Sequence, residues 1–109
     1  MKLIIAIIRS EHLEGVEAAV SQRQASLMSV SQVLGSVQEP GYTETYRGRE
    51  VHVRRPKFRL EIAVHDLSVE AALDAVVRAT AGDCKAFVLD MGTCVLLHNG
   101  AREPAGVGG

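Results

Sequence analysis

The sequence predicts an α+β domain whose strands and helices follow the order βαββαβ. Three observations support this fold class. The run from Leu3 to Ile8 is continuously apolar, and residues 58–65 alternate between apolar and polar side chains, so both segments are typical of strands. Each is followed by a segment with helical spacing of its apolar residues. A long polar segment, Gln38 to Pro56, separates the second strand from the third.

The first strand and the first helix are predicted from the beginning of the chain. Leu3 to Ile8 (LIIAII) is apolar at every position, which is typical of a central strand covered on both faces. Ser10 is predicted to cap a helix that runs to about Gln24. Acidic residues in the first half of this segment and apolar residues at helical spacing support the helix: Glu11, Glu14, Glu17, Leu13, Val16, Ala19 and Val20.

Two strands flank the long polar segment. Met28 to Val37 mixes valine with polar residues, as a half-buried strand does. After the polar segment, one set of residues is predicted to face the core and the alternate set to face away: Phe58, Leu60, Ile62 and Val64 against Arg59, Glu61, Ala63 and His65.

The second helix and the remaining strands complete the order. Ser68 is a predicted cap, Gly82 a predicted stop, and the buried stripe comprises Val69, Ala72, Leu73, Val76 and Val77. Ala86 to Leu89 and Cys94 to Leu97 are predicted strands, the latter a short extra one. Ala101 to Gly109 is predicted to be a mobile tail.

This order is the ferredoxin-like arrangement, in which both helices cover the same face of the sheet. The second apolar face implied by LIIAII then has nothing within the chain to cover it. We therefore expect a homo-oligomer that packs these open faces together, with ligands in the clefts between subunits.

Composition narrows the class of protein. A chain of 109 residues with 47% hydrophobic residues and a formal net charge of -1 predicts one soluble domain, and a nucleic-acid binder would be more basic. The longest apolar run is too short for a bilayer and lacks a signal-peptide cleavage site, which predicts a cytoplasmic protein. Cys84 and Cys94 form no metal-binding spacing and are predicted to be reduced, buried thiols.

The long polar segment is also basic. Six of the chain's twelve Lys and Arg residues lie between Arg47 and Arg59. A compact domain rarely keeps so long a loop without a function. This charge predicts contact with an anionic ligand or an acidic partner surface.

Four segments, MKLIIAIIR at 1–9, MSVSQVLG at 28–35, GYTETYRG at 41–48 and PKFRLEIAV at 56–64, resemble the PII nitrogen-regulatory signal-transduction proteins. The resemblance implies a PII-like domain over residues 1–100, with a T-loop at about 37–56 and a flexible tail at 101–109. It also implies a trimer that binds adenine nucleotides (ATP, ADP or AMP) between subunits. The T-loop then docks on a transporter, an enzyme or a transcription regulator.

The resemblance assigns roles to individual residues. The implied nucleotide-binding residues are Ser29, Gly35, Val37, Gln38, Glu61, Ala63, Gly82, Asp83 and Lys85. The implied effector-binding and partner-binding residues are Lys57, Tyr42, Tyr46, Arg47 and Arg49. Two alternatives stay open at this point: Glu61 pairing with Arg59 or another arginine, and Lys57 as a solvated loop lysine.

Departures from the family pattern bear on the ligand. The family's T-G-K-I-G-D-G-K phosphate loop is shortened here to residues 81–85, and its two late arginines correspond to Leu96 and His98. These changes argue against tight triphosphate binding. Glu39 replaces the glutamine that helps hold Mg and 2-oxoglutarate, which argues against sensing of that acid.

Two covalent modification sites are also changed. The family's uridylylated tyrosine falls at Val51, which has no hydroxyl, so uridylylation is excluded at that position. The serine that is phosphorylated in some relatives falls at Arg49.

The alternative hypothesis is a divergent PII-like sensor of a metal ion or of a small anion such as bicarbonate, linked to a transporter. Its candidate ligands are His52, His65, His98, Glu39 and the two cysteines, but they share no metal-site spacing. An enzyme is not expected, because no nucleophile stands beside a base and no carboxylates are paired.

Overall fold

The computed structural model of the chain describes residues 1–20, 25–34, 42–53, 55–92, 95–98 and 100–104, and at 42–46, 50–53, 96, 98 and 101–104 it describes the backbone alone. Short 3-10 turns precede both helices, at Ser10–His12 and Asp66–Ser68. The strands and helices are β1 Lys2–Arg9, α1 Leu13–Ala19, β2 Leu27–Leu34, β3 Tyr42–Tyr46, β4 Arg49–Val53, β5 Pro56–Val64, α2 Val69–Ala79, β6 Lys85–Asp90, β7 Val95–His98 and β8 Ala101–Pro104.

Four of the strands form the main sheet, in the antiparallel order β2-β5-β1-β6. With α1 and α2 this is the ferredoxin-like α+β fold, so the predicted fold class is confirmed. The hairpins β3–β4 and β7–β8 are separate two-stranded sheets.

The core lies between the helices and one face of the main sheet. Ile4 pairs with Ile62 and Ala6 pairs with Leu60, and all four are fully buried. Val16 of α1, Ala72 and Val76 of α2, Ile8 and Val64 complete this cluster. The predicted alternation in β5 is confirmed for Leu60, Ile62 and Val64, and the burial of aliphatic side chains here supplies most of the folding free energy.

The opposite face of the sheet is only partly covered. The alternate residues of β1, namely Leu3, Ile5 and Ile7, are half-buried, and Phe87 of β6 is 52% exposed. The prediction that β1 is covered on both faces therefore does not hold within a single chain. We call this surface the open face.

The predicted helix caps differ in the structure. Ser10 lies in a 3-10 turn, and its hydroxyl donates to the Pro56 carbonyl oxygen at 3.3 Å instead of capping α1. Ser68 occupies the N-cap position of α2 but makes no side-chain capping bond. Capping moves one turn earlier, where the Leu67 N–H donates to Nδ1 of His65 at 3.2 Å. An inserted 3-10 turn shifts the orphan N–H groups away from the predicted caps.

Element ends also differ from the prediction. Helix α1 ends at Ala19 rather than near Gln24, and residues 21–24 lie outside the described residues. Strand β2 ends at Leu34, and the predicted remainder, 35–37, is likewise outside them.

The C-terminal part of the chain contains an unpredicted strand. Residues 101–104, predicted as tail, form β8 and pair with β7, whereas residues 105–109 lie outside the described part.

Candidate functional site

The polar segment after β2 contains a β-hairpin that the sequence analysis treated as a loop. Tyr46 of β3 pairs with Arg49 of β4, and the two residues between them have positive φ, 51° at Arg47 and 77° at Gly48. Two successive positive φ values define a type I′ turn, whose twist matches that of antiparallel strands. The motif residues Tyr-Arg-Gly therefore form the tip of a hairpin and place Arg47 at its end.

One end of the open face carries basic side chains from three adjacent strands. Arg9 of β1 pairs with Lys57 of β5, while Ile7 pairs with Arg59 on one side and with Lys85 on the other. Alternation directs these basic residues toward the same face, and paired residues lie about 5 Å apart. We call Arg9, Lys57, Arg59 and Lys85 the cationic end. It brings together Lys57 and Lys85, which lie 28 residues apart in the sequence.

Three predicted nucleotide-binding residues lie together beside the cationic end. Ser29 pairs with Glu61, and Ala63 pairs with Leu27 on β2 and with Leu3 on β1. Glu61 also contacts Arg59, with 3.5 Å between its Oε1 and the arginine Nε. The ion pair considered as the alternative for Glu61 is thus observed. It leaves the carboxylate 43% exposed and accessible to a ligand.

The turn that corresponds to the family's phosphate loop is closed on itself. Ala81 and Gly82 have positive φ, 53° and 76°, and the Gly82 N–H donates to the Val77 carbonyl at 2.9 Å. The N–H groups of Thr80, Ala81 and Asp83 likewise donate to the carbonyls of Val76, Arg78 and Thr80. A phosphate cradle needs N–H groups that point at the anion. In this conformation, four successive N–H groups already bond within the chain.

Arg9 is a site residue that the sequence analysis missed. Its Nε lies 3.0 Å from Oδ2 of Asp83, and its Nη1 lies 3.8 Å from Oε1 of Glu11. The pair joins the end of β1 to the turn before β6. Arg9 and Asp83 are 74 residues apart, so only their placement at the same end of the sheet connects them.

The opposite end of β1 carries a different set of charges. Lys2 forms an ion pair with Asp90, whose hydrogen bond and negative charge raise the pKa of Lys2 above its usual 10.5. The amino group of Met1 lies 3.0 Å from Asp66, and this hydrogen bond lowers the pKa of that carboxyl below 3.8. These pairs tie the sheet end to neighbouring strands and turns, away from the predicted site.

Several predicted site residues receive no structural account. Gly35, Val37 and Gln38 lie outside the described residues, as do Glu39 and Cys94. For Tyr42, Tyr46 and Val51 only the backbone positions in β3 and β4 are described. Cys84 is a half-buried free thiol.

The described residues offer neither a metal-binding cluster nor a membrane-spanning helix. They contain no group of three His, Cys, Asp or Glu side chains arranged to hold a metal ion. Neither helix in the described part has the length and hydrophobicity needed to cross a bilayer.

Comparison with known proteins identifies the family. The family described as "Nitrogen regulatory protein P-II" matches residues 1–101. The chain is 34% identical to nitrogen regulatory protein P-II 1 of Escherichia coli K12 over 112 aligned positions, covering 98% of this chain and all of the relative. It is 35% identical to nitrogen regulatory protein P-II 2 of Methanothermobacter thermautotrophicus over 105 positions, 92% of this chain and 91% of that protein. The chain belongs to the P-II family.

Membership defines the class of function. P-II proteins are signal-transduction regulators rather than enzymes, and they act on partner proteins. The family resemblance predicted from the four sequence segments is therefore confirmed. Residues 46–48 of the hairpin tip and strand β5, which supplies two residues of the cationic end, lie within segments that carried this resemblance.

Proposed function

We propose that this P-II protein is a cytoplasmic homotrimer that binds an adenine nucleotide between its subunits. Binding controls a target protein of nitrogen or carbon metabolism through the T-loop, which includes the β3–β4 hairpin. The observation that carries the proposal is the one-sided sheet, whose open face combines apolar residues with a cationic end beside Ser29, Glu61 and Ala63.

The apolar part of the open face supports assembly. In a single chain Leu27 is 64% exposed, Phe87 52% and Leu89 45%. Register places Leu27, Ala63, Leu3 and Leu89 in one row across all four strands. A contiguous apolar surface of this kind is typical of an interface, and closed rotational symmetry can bury it in every subunit.

The polar part of the open face supports nucleotide binding. Glu61 can accept hydrogen bonds from a base or a sugar, and the cationic end can receive phosphate. The closed turn at 80–83 and the apolar residue at Leu96 leave fewer groups for phosphate oxygens than the family pattern provides. We therefore expect ADP or AMP to bind at least as well as ATP.

The hairpin supports regulation by docking. Arg47 and Arg49 flank the glycine at its tip, which suits an acidic target surface. An isolated two-stranded hairpin is marginally stable in water, so a ligand at its base can shift its conformations. Val51 carries no hydroxyl, so nucleotide occupancy rather than uridylylation at this position would control docking.

Isothermal titration calorimetry with ATP, ADP, AMP and cyclic AMP tests the proposal, with native mass spectrometry to count subunits. We expect a trimer and binding of at least one nucleotide. Glu61→Ala should weaken that binding about tenfold, whereas Glu70→Ala, an exposed glutamate of α2, should leave it unchanged. A monomeric protein, or no binding of any of the four nucleotides, would overturn the corresponding half of the proposal.

The docking step is tested separately by capture of target proteins from the native host on the immobilised trimer. We expect a specific target whose retention changes with the bound nucleotide and is lost in Arg47→Glu. If retention of the target protein changes neither with the bound nucleotide nor in Arg47→Glu, the hairpin does not control docking.

A further inference from the structure

We infer that Arg9 is a positioning residue that neutralises Asp83 beside the nucleotide phosphates, so that this ion pair sets how much phosphate charge the site accepts. The inference rests on the proposed nucleotide site. It assigns a role to Arg9, which sequence reasoning did not select, and a definite electrostatic role to Asp83.

The geometry places an acidic side chain where an anion is expected to bind. Asp83 lies between Gly82 and Lys85 at the start of β6, and its carboxylate would repel a nearby phosphate. The Arg9 Nε lies 3.0 Å from Asp83 Oδ2, which offsets this charge.

The backbone holds Asp83 in this position. Its N–H donates to the Thr80 carbonyl at 2.9 Å, and Thr80 is itself buried, with its hydroxyl donating to the Val76 carbonyl at 2.8 Å. The carboxylate therefore projects from a turn anchored to the end of α2. Its position relative to a ligand depends little on the rest of the loop.

Exposure argues against a mainly stabilising role. The side chains of Arg9 and Asp83 are 47% and 57% exposed, and an ion pair at such a site contributes little to folding. Its main effect is on the local potential at the cationic end. Loss of Arg9 should then weaken ligand affinity more, the greater the negative charge of the ligand.

The same strand supplies a matched control. Lys2 forms an ion pair with Asp90 at the other end of β1, roughly 23 Å from Arg9 at the rise of an extended strand. Like Arg9→Gln, Lys2→Gln removes one positive charge that is paired with an aspartate at a strand end, but it does so far from the proposed site.

The experiment measures the affinity for adenosine, AMP, ADP and ATP by calorimetry at low salt. Arg9→Gln should leave adenosine binding unchanged, weaken AMP about threefold and weaken ATP about tenfold. Asp83→Asn should strengthen ATP binding, because it removes the carboxylate that repels the phosphates. The double variant removes one charge of each sign and should bind ATP within about twofold of the unmodified protein. Arg9→Lys should retain most of the ATP affinity, and Lys2→Gln should match the unmodified protein.

Several results would overturn the inference. If the double variant binds ATP as weakly as Arg9→Gln, removal of Asp83 does not restore binding. Arg9 then acts on the ligand directly rather than by neutralising Asp83. If adenosine and ATP weaken equally, Arg9 supports the fold of the site and not its charge. If the unmodified protein binds no nucleotide, the proposed function fails and this inference with it, whereas binding that ignores Arg9 overturns the inference alone.

Discussion

The two faces of the main sheet are built from alternate residues of the same strands, yet they differ in almost every property. On the helix-covered face, Ile4, Ala6 and Ile8 of β1 are buried against α1 and α2. On the open face, their neighbours Leu3, Ile5 and Ile7 are only half-buried. One set of side chains stabilises the fold of the chain, and the other is available for recognition.

The open face is itself divided. It is apolar at the row that contains Leu3 and Leu89 and basic at the row that contains Arg9 and Lys57. In the proposed trimer, the surface for a second copy and the surface for an anion would lie on one continuous sheet, which would place a ligand close to the subunit boundary. The comparison of the two faces can be tested by matched substitutions.

The largest effect is expected on the helix-covered face. Ile4→Asp places a carboxylate at a position with no solvent exposure, and an unpaired buried charge costs on the order of 5 kcal/mol, comparable to the whole stability of a small domain. We expect no folded protein, as judged by circular dichroism and urea denaturation. A cooperative transition near that of the unmodified protein would contradict the assignment of this face to the core.

The adjacent residue should behave differently. Ile5→Asp places the same charge on the open face, opposite Glu61 and Phe87. We expect a folded chain that no longer assembles, because the charge and its repulsion from Glu61 oppose burial between subunits. Sedimentation velocity measures the assembly, and Leu67→Asp, at a side chain 89% exposed outside the sheet, is the control that should still assemble.

A smaller effect is expected at the turn beside the cationic end. Ala81 has a φ of 53°, a conformation that disfavours any side chain. Ala81→Gly should therefore raise the free energy of unfolding by about 0.5–1 kcal/mol, measured by urea denaturation. The substitution Ala71→Gly on the exposed side of α2 should lower it by a similar amount, and two changes of the same sign would refute the strain argument.

The smallest effect concerns the ion pair of Lys2 with Asp90. Since the folded-state pKa of Lys2 lies above the unfolded value of 10.5, its stabilising contribution is fully present below pH 10.5 and is lost as the pH rises through the folded-state pKa. The stability difference between the unmodified protein and Lys2→Gln should fade above pH 10.5. A stability difference that grows as the pH rises would contradict the upward shift of the Lys2 pKa.

The sequence predicted the helix-covered face better than the open one. Strict alternation in β5 indicated that Leu60 and Ile62 are buried, since a period of two places both on one face. The continuous apolar run of β1 could not indicate which of its two faces the helices cover. The predicted capping residues Ser10 and Ser68 do not cap the helices because a 3-10 turn precedes each helix. The sequence around these serines gives no sign of such a turn. The β3–β4 hairpin was missed because Arg47 at a positive φ is an uncommon turn residue.

Residues of the candidate site could be predicted only where a local sequence motif of the family assigned them a role. Lys57, Glu61 and Lys85 were selected through resemblance, and register shows that their strands, β5 and β6, both pair with β1. Arg9 ends one of the matched segments but was assigned no role, and its contact with Asp83 depends on a turn whose shape comes from its own backbone hydrogen bonds. Contacts between distant segments of this kind require the folded sheet.

The division of labour along β1 has a consequence for how this protein can change over evolutionary time. Exchange of one aliphatic residue for another within 3–8 preserves both surfaces, because each position keeps its side of the sheet. A deletion or insertion of a single residue there would instead exchange the two sets, so that open-face residues would point into the core and core residues would point out of it. Strand β1 should therefore tolerate aliphatic substitutions over evolutionary time but not a change of length by one residue.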